Sequence, residues 1–226
     1  PFVILLPAVF VDFINPVSDK YNKSDNINIL KIIRILSFII TIITPAAYIA
    51  VINYNQETIP AKLLTSFITQ REGVPFPAAI EAIFMLIISD ILKESDIRFP
   101  TSYGSSISIL GALVLGEAAV AASIVSPIMI IVIALTFISS MIFNETEFIN
   151  AIRLWRLIFL GFAIFYGIYG ITLAFLLFII NICSYEPFTV PYSFPISPFN
   201  LPYIENTIIK VKNRNNKKRS SYLTDN

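Results

Sequence analysis

The sequence predicts an all-α fold: a polytopic membrane helical bundle with about four spanning helices plus interfacial or re-entrant amphipathic helices. Three observations predict it. Only 14% of the 226 residues are charged, against about 25% in an ordinary soluble domain. Hydrophobic residues make up 56% of the chain, and mean hydropathy is +0.75. These apolar residues fall in long blocks separated by short polar connections, which is the pattern of membrane helices.

Three regions follow from this distribution. Residues 1–28 read as an interfacial and polar lead-in. The chain opens at Pro1 without Met or a basic leader, so no signal peptide is expected and a further upstream region is. Residues 29–183 form the transmembrane helical domain. Residues 184–226 form a tail that is Pro-rich and then basic.

Phe2 to Ile14 is apolar but broken by Pro7, and at about 1.5 Å per residue it falls short of a core of about 30 Å. Ile29 to Ile52 is long enough to span. It carries Lys31 and Arg34 in its first turns, Pro45 as a tolerated kink, and Tyr48 and Tyr54 as interface anchors. Pro60 opens a short amphipathic helix with Leu63, Leu64, Phe67 and Ile68 on one face. Ala78 to Ile97 holds Glu81, Asp90, Lys93 and Glu94. Its apolar stretch is too short to cross alone, so it reads as re-entrant, interfacial or buried in the bundle. Ser102 to Ser123 is rich in Gly, Ala and Ser. Ile124 to Phe143 spans, with Pro127 near its start. Asn144 to Arg156 is a polar loop leading into an amphipathic turn. Leu157 to Cys183 is the clearest span, with Tyr166, Gly167, Tyr169 and Gly170 expected to pack inside it.

Six of the sixteen basic residues sit in the tail: Lys210, Lys212, Arg214, Lys217, Lys218 and Arg219. Positive charge near spans favours the cytoplasmic side. The tail is therefore expected inside, and Leu157–Cys183 starts outside. Ile29–Ile52 then starts inside. Four crossings with both ends cytoplasmic satisfy this, although Arg153 and Arg156 then fall on the outer side.

Gly104, Ser108, Ala112 and Gly116 recur at every fourth position, joined by Gly111 and Ala119. Such a face either packs tightly within one subunit or lines a shared pathway between subunits. In the second case Leu113 or Leu115 forms an apolar gate that blocks ions by dewetting. The intramembrane acidic residues are Glu81, Asp90 and Glu117. An ionisable group at that depth faces protein or water. Glu81 and Asp90 lie about 180° apart on a helix of about 3.6 residues per turn. They do not share a face as an acid–base pair would, and each is expected to pair with Arg71, Lys93 or Arg98 instead. Arg153, Trp155 and Arg156 read as an interfacial anchor, or as a subunit contact.

Function classes fall away on composition. Cys183 is the only cysteine and histidine is absent, which excludes internal disulfides, Cys/His zinc sites and His-dependent triads. No phosphate loop, nucleophile elbow or dinucleotide fingerprint is present. No enzyme activity, cofactor, metal or nucleic-acid partner is expected.

Arg71-Glu72-Gly73-Val74-Pro75-Phe76-Pro77-Ala78 resembles the GerA-type spore germination receptor A subunits. The likeness continues through Glu81-Ala82, Asp90-Ile91-Leu92-Lys93-Glu94, Ile97-Arg98-Phe99-Pro100 and Ser108 to Gly116. It extends to Ile124-Val125-Ser126-Pro127, Asn150 to Leu154, Val190-Pro191-Tyr192 and Pro198 to Leu201. The chain departs where Ser105 and Glu117 replace the usual Gln, where Leu86 replaces an acidic residue, and at Ser193-Phe194 after Tyr192. The resemblance implies a subunit of a nutrient receptor in the inner membrane of bacterial spores, lacking here the family's N-terminal soluble domain. It implies a transporter-like B subunit and a lipoprotein C subunit as partners, a homo-oligomer of the A subunit, and a cation channel formed by that oligomer.

Overall fold

The computed structural model describes residues 9–14, 24–98, 116–143, 145–186 and 190–194. These residues form helices and turns, with no strand among them. In chain order the helices are α1 (Phe10–Ile14), α2 (Ser24–Asn53), α3 (Ala61–Arg71), α4 (Ala78–Arg98), α5 (Pro127–Ser140) and α6 (Thr146–Ser184). A 3₁₀ turn at Gln56–Thr58 separates α2 from α3, and residues 116–121 are helical ahead of α5.

Two helices are long and apolar enough to cross a membrane: Ile27–Asn53 within α2, and Thr146–Ser184. That is fewer than the four expected crossings. Most of the expected span Ser102–Ser123 lies outside the described residues. The expected span Ile124–Phe143 contracts to the 14 residues of α5, which rise only about 21 Å. Its start is set by Ser126, whose hydroxyl accepts from the Met129 N–H and caps the helix. Pro127 follows at the first helical position, where its missing N–H costs nothing.

The largest correction concerns the expected single span Leu157–Cys183 and the loop before it. Asn144–Arg156 is mostly helix, because α6 already begins at Thr146. Its 39 residues are not one rod. Gly167 has φ 60° and ψ −135°, outside the helical region, in left-handed space that favours glycine. Beyond it the chain folds back on itself. The rings of Trp155 and Phe178 lie 5.0 Å apart, whereas an unbroken helix would separate them by about 35 Å. A Cβ on Gly170 would overlap the Phe162 carbonyl, so only glycine permits this approach of the two limbs. A Cβ on Gly167 would come within 2.9 Å of the Tyr54 side chain. The Tyr54 hydroxyl donates to the Ile164 carbonyl at 2.6 Å, which occupies one of the carbonyls that a helix end leaves unpaired. The first limb, 146–166, rises about 31 Å and the second, 168–184, about 25 Å. Each has the length of one crossing.

This hairpin brings the two ends of α6 back to the same side of its turn. Phe38, at the midpoint of α2, stacks on Phe148, 5.9 Å between centroids, and meets Phe178 at 6.0 Å. Both ends of α6 therefore point toward the half of the bundle that holds the start of α2. Tyr54 and Gly167 share the other. Leu157–Cys183 is thus a hairpin arm and its return, and not the single straight span that its apolar run predicts.

Two cores hold these helices together. Ile49, Ala82, Leu86, Met129 and Leu160 pack where α2, α4, α5 and α6 meet. Ile42, Ala46, Phe148, Ile152, Phe159 and Ala163 pack along α2 and α6. Consecutive residues Phe159 and Leu160 thus face different cores, which wedges α6 between them. Many large apolar side chains remain outside, including Ile131, Ile138 and Phe175. At the hairpin turn, Phe165 is 74% and Tyr169 78% exposed, with Tyr54 and Tyr166 also exposed beside them.

Candidate functional site

The bundle interior holds two polar clusters, built by α4 at points nine residues apart. The first surrounds Glu81, whose side chain is fully buried. One carboxylate oxygen, Oε1, accepts from the Ser126 backbone N–H at 2.6 Å and from the Ser126 hydroxyl at 2.6 Å. The other, Oε2, lies 3.7 Å from the Arg71 guanidinium without a hydrogen-bond partner. The Tyr48 hydroxyl is buried in the same cluster, also without a hydrogen-bond partner. Glu81 therefore joins α4 to the amino end of α5, where a negative charge is favourable.

Local structure explains the join. After 116–121 the chain turns at Ser123, which has φ 55°. The Ile124 N–H bonds back to the Ala119 carbonyl at 2.9 Å, as at many helix ends. Gly73, from the loop between α3 and α4, packs beside the Ser123 hydroxyl. Two motifs far apart in sequence, Arg71 to Ala78 and Ile124 to Pro127, are thereby brought together around one carboxylate.

The second cluster lies toward the end of the bundle that holds the start of α2. Asp90 receives two hydrogen bonds from Arg156, at 2.7 and 2.8 Å. Arg153 Nε stands 3.3 Å from the same carboxylate, an ionic contact that is out of line for a hydrogen bond. Lys93 donates to the Ser140 carbonyl at 3.0 Å and to its hydroxyl at 2.9 Å. Burial, followed by the nearby Arg156, pulls the Lys93 ammonium down from 10.5 to about 8. Arg156 is only 4% exposed.

The structure places the sequence-singled residues as follows. Glu81 meets Arg71, one of the partners the sequence offered. Asp90 meets Arg153 and Arg156, which the sequence had set aside as anchor residues. Trp155 packs edge-on against Phe178. Glu117 and Ala118 are exposed and Ala119 is half-buried. Gly116 is buried, and a Cβ there would make ordinary contact with Ile130. Gly104, Ser108, Gly111, Ala112, Leu113 and Leu115 lie outside the described residues. Ser126 was missed as a site residue, although a Ser-Pro pair opening an apolar run is a helix-start signal. Among the described residues no cluster of His, Cys, Asp and Glu suits a metal ion.

The chain is 42% identical over 213 residues to spore germination protein KA of Bacillus subtilis, covering 93% of this chain and 39% of that one. It is 37% identical over 223 residues to spore germination protein GerLA of Bacillus cereus, covering 99% and 45%. It is 35% identical over 210 residues to the uncharacterized membrane protein YfkQ of Bacillus subtilis, covering 93% and 41%. The chain thus spans less than half the length of these relatives. No solved structure matches it. The family described as Bacillus/Clostridium GerA spore germination protein matches residues 1–222, and the chain belongs to that family.

Proposed function

We propose that this chain is the membrane part of the A subunit of a spore nutrient-germinant receptor, and that copies of it assemble into a ligand-gated cation channel. The observation that carries the reading is the family match along nearly the whole chain. The partners are a transporter-like B subunit and a lipoprotein C subunit, and the location is the spore inner membrane. In this reading Gly104, Ser108, Gly111, Ala112, Leu115, Gly116 and Ala119 lie along the contact between copies or along the pore, with Leu115 as an apolar gate. Within the described end of this stretch Gly116 and Ala119 pack toward the protomer's own core, and the exposed Glu117 is the group left for water or a neighbouring copy.

The hairpin supports a cytoplasmic C-terminus by a new route. With α2 and both limbs of α6 crossing, the start of α2 and both ends of α6 lie on one side. Lys31, Arg34 and Arg153 then fall toward the side of the basic tail, as the positive-inside tendency requires. The exposed aromatic residues at the turn suit the opposite interface.

An ion-coupled transporter is the weaker reading, because Glu81 and Asp90 are both engaged by arginines. Single-channel recording from the assembled receptor in planar bilayers tests the proposal. Unitary cation currents that Leu115→Ala makes leaky support it. A receptor that binds its germinant and passes no current would leave a structural subunit.

A further inference from the structure

The Asp90 cluster contains more positive charge than it neutralises. Among the described residues three cations, Lys93, Arg153 and Arg156, surround one carboxylate, Asp90. The charges that act on Lys93 are those of Arg156, Asp90 and Arg153. A buried cation without a counter-charge is costly, and removing one partner from such a pair costs several kcal/mol. The same cluster encloses a small cavity of about 10 Å³, lined among others by Thr41, Lys93, Ser140, Arg153 and Arg156. That is room for one water-sized occupant.

The donors at this cavity are not all used. The Nε–H groups of Arg153 and Arg156 are buried and have no hydrogen-bond partner. Arg156, at 4% exposure, spends its terminal nitrogen on Asp90. The neighbouring hydroxyls are already committed as donors: Thr41 gives its proton to the Ser37 carbonyl and Ser140 to that of Phe137. Neutral water at this point would add no charge. A small monovalent anion would accept from the unused N–H donors and offset one of the two surplus charges.

We infer that the cavity between α2, α4, α5 and the first limb of α6 is a binding site for one small inorganic anion of the halide class, held by Lys93, Arg153 and Arg156. The site is structural in consequence: it ties α4 to α6 through a shared counter-ion. It is independent of whether the chain conducts. Proton loss from Lys93 is the competing way to remove the surplus, so anion binding and Lys93 protonation reinforce each other. Asp90 and Lys93 on α4 and Arg153 and Arg156 on α6 are the charged groups facing the cavity. α2 and α5 face it with Thr41, Phe137 and Ser140, which do not titrate in this range.

The test uses the full chain purified in lipid nanodiscs, melted in chloride and in gluconate at equal ionic strength. Chloride is expected to raise Tm at neutral pH. The gain should shrink near pH 10, where Lys93 is neutral. Lys93→Met should weaken half-saturation by bromide about tenfold, and Arg153→Gln should do the same if the first variant fails to fold. Bromide anomalous scattering at the cavity in a crystal would locate the ion. Equal melting in the two salts, a chloride gain that survives both substitutions, or a water in place of bromide would each overturn the site.

Discussion

Glu81 and Asp90 sit on one helix, yet their surroundings treat them oppositely. Glu81 is fully buried and faces one guanidinium, at 3.7 Å, with two close donors from Ser126. Asp90 is partly open and is outnumbered by Arg153, Arg156 and Lys93. The first cluster is a structural latch: a carboxylate holding the start of α5. The second is a positive pocket whose carboxylate is its minority partner. A buried acidic residue in a membrane helix therefore has no fixed meaning; the count and geometry of the groups around it decide.

The comparison breaks first at Glu81. Glu81→Ala leaves Arg71 without its counter-charge and the buried Ser126 N–H without its acceptor. Loss of one partner from a buried pair costs about 3–5 kcal/mol, so the protein should show a large fall in Tm, or fail to accumulate, in nanodiscs. A Glu81→Ala protein melting like the parent would show that the latch carries no stability.

Removing a cation should act with opposite sign in the two places. Arg71→Met strips Glu81 of its counter-charge and should destabilise by about 1–3 kcal/mol. Lys93→Met removes surplus charge and should be neutral or stabilising at low halide and neutral pH, since apolar replacement of a poorly balanced buried charge often is. Thermal melts of the two variants side by side check this, and equal losses would erase the distinction between the clusters. A smaller effect is expected at the cap. Ser126→Ala should cost about 1 kcal/mol as a lost helix cap, read as a modest fall in Tm with the fold retained by circular dichroism.

The mildest test is pH. In the folded chain Lys93 titrates at about 8, against 10.5 for the free side chain. Between these values the unfolded chain binds more protons, so stability rises with pH across that window and the Lys93 penalty is complete below it. Melts in gluconate between pH 7.5 and 10 should show the rise, and Lys93→Met should flatten it.

How much of this was legible in the residues depends on the range of the interaction. The apolar block around Ile29 to Ile52 became most of α2, because a long apolar run needs only its own hydrogen bonds to be a helix. Ser126-Pro127 marks a helix start by local chemistry. The partners of Asp90 lie over sixty residues away, and no periodicity links Asp90 to Arg156. The turn at Gly167 was hidden for a different reason. Tyr166, Gly167, Tyr169 and Gly170 do not break the apolar run, and glycine is tolerated inside membrane helices, so its presence alone marks no turn.

Composition and the order of motifs were enough to determine an apolar helical chain and its family, since both depend on residue type summed over long stretches. The tertiary structure alone decided which end of the bundle each helix end occupies. It also decided which cations meet which carboxylate. The return of the second limb of α6 hangs on one backbone conformation at Gly167 and on the close approach that Gly170 permits. A single left-handed residue changes the direction of everything after it while leaving the hydropathy profile untouched.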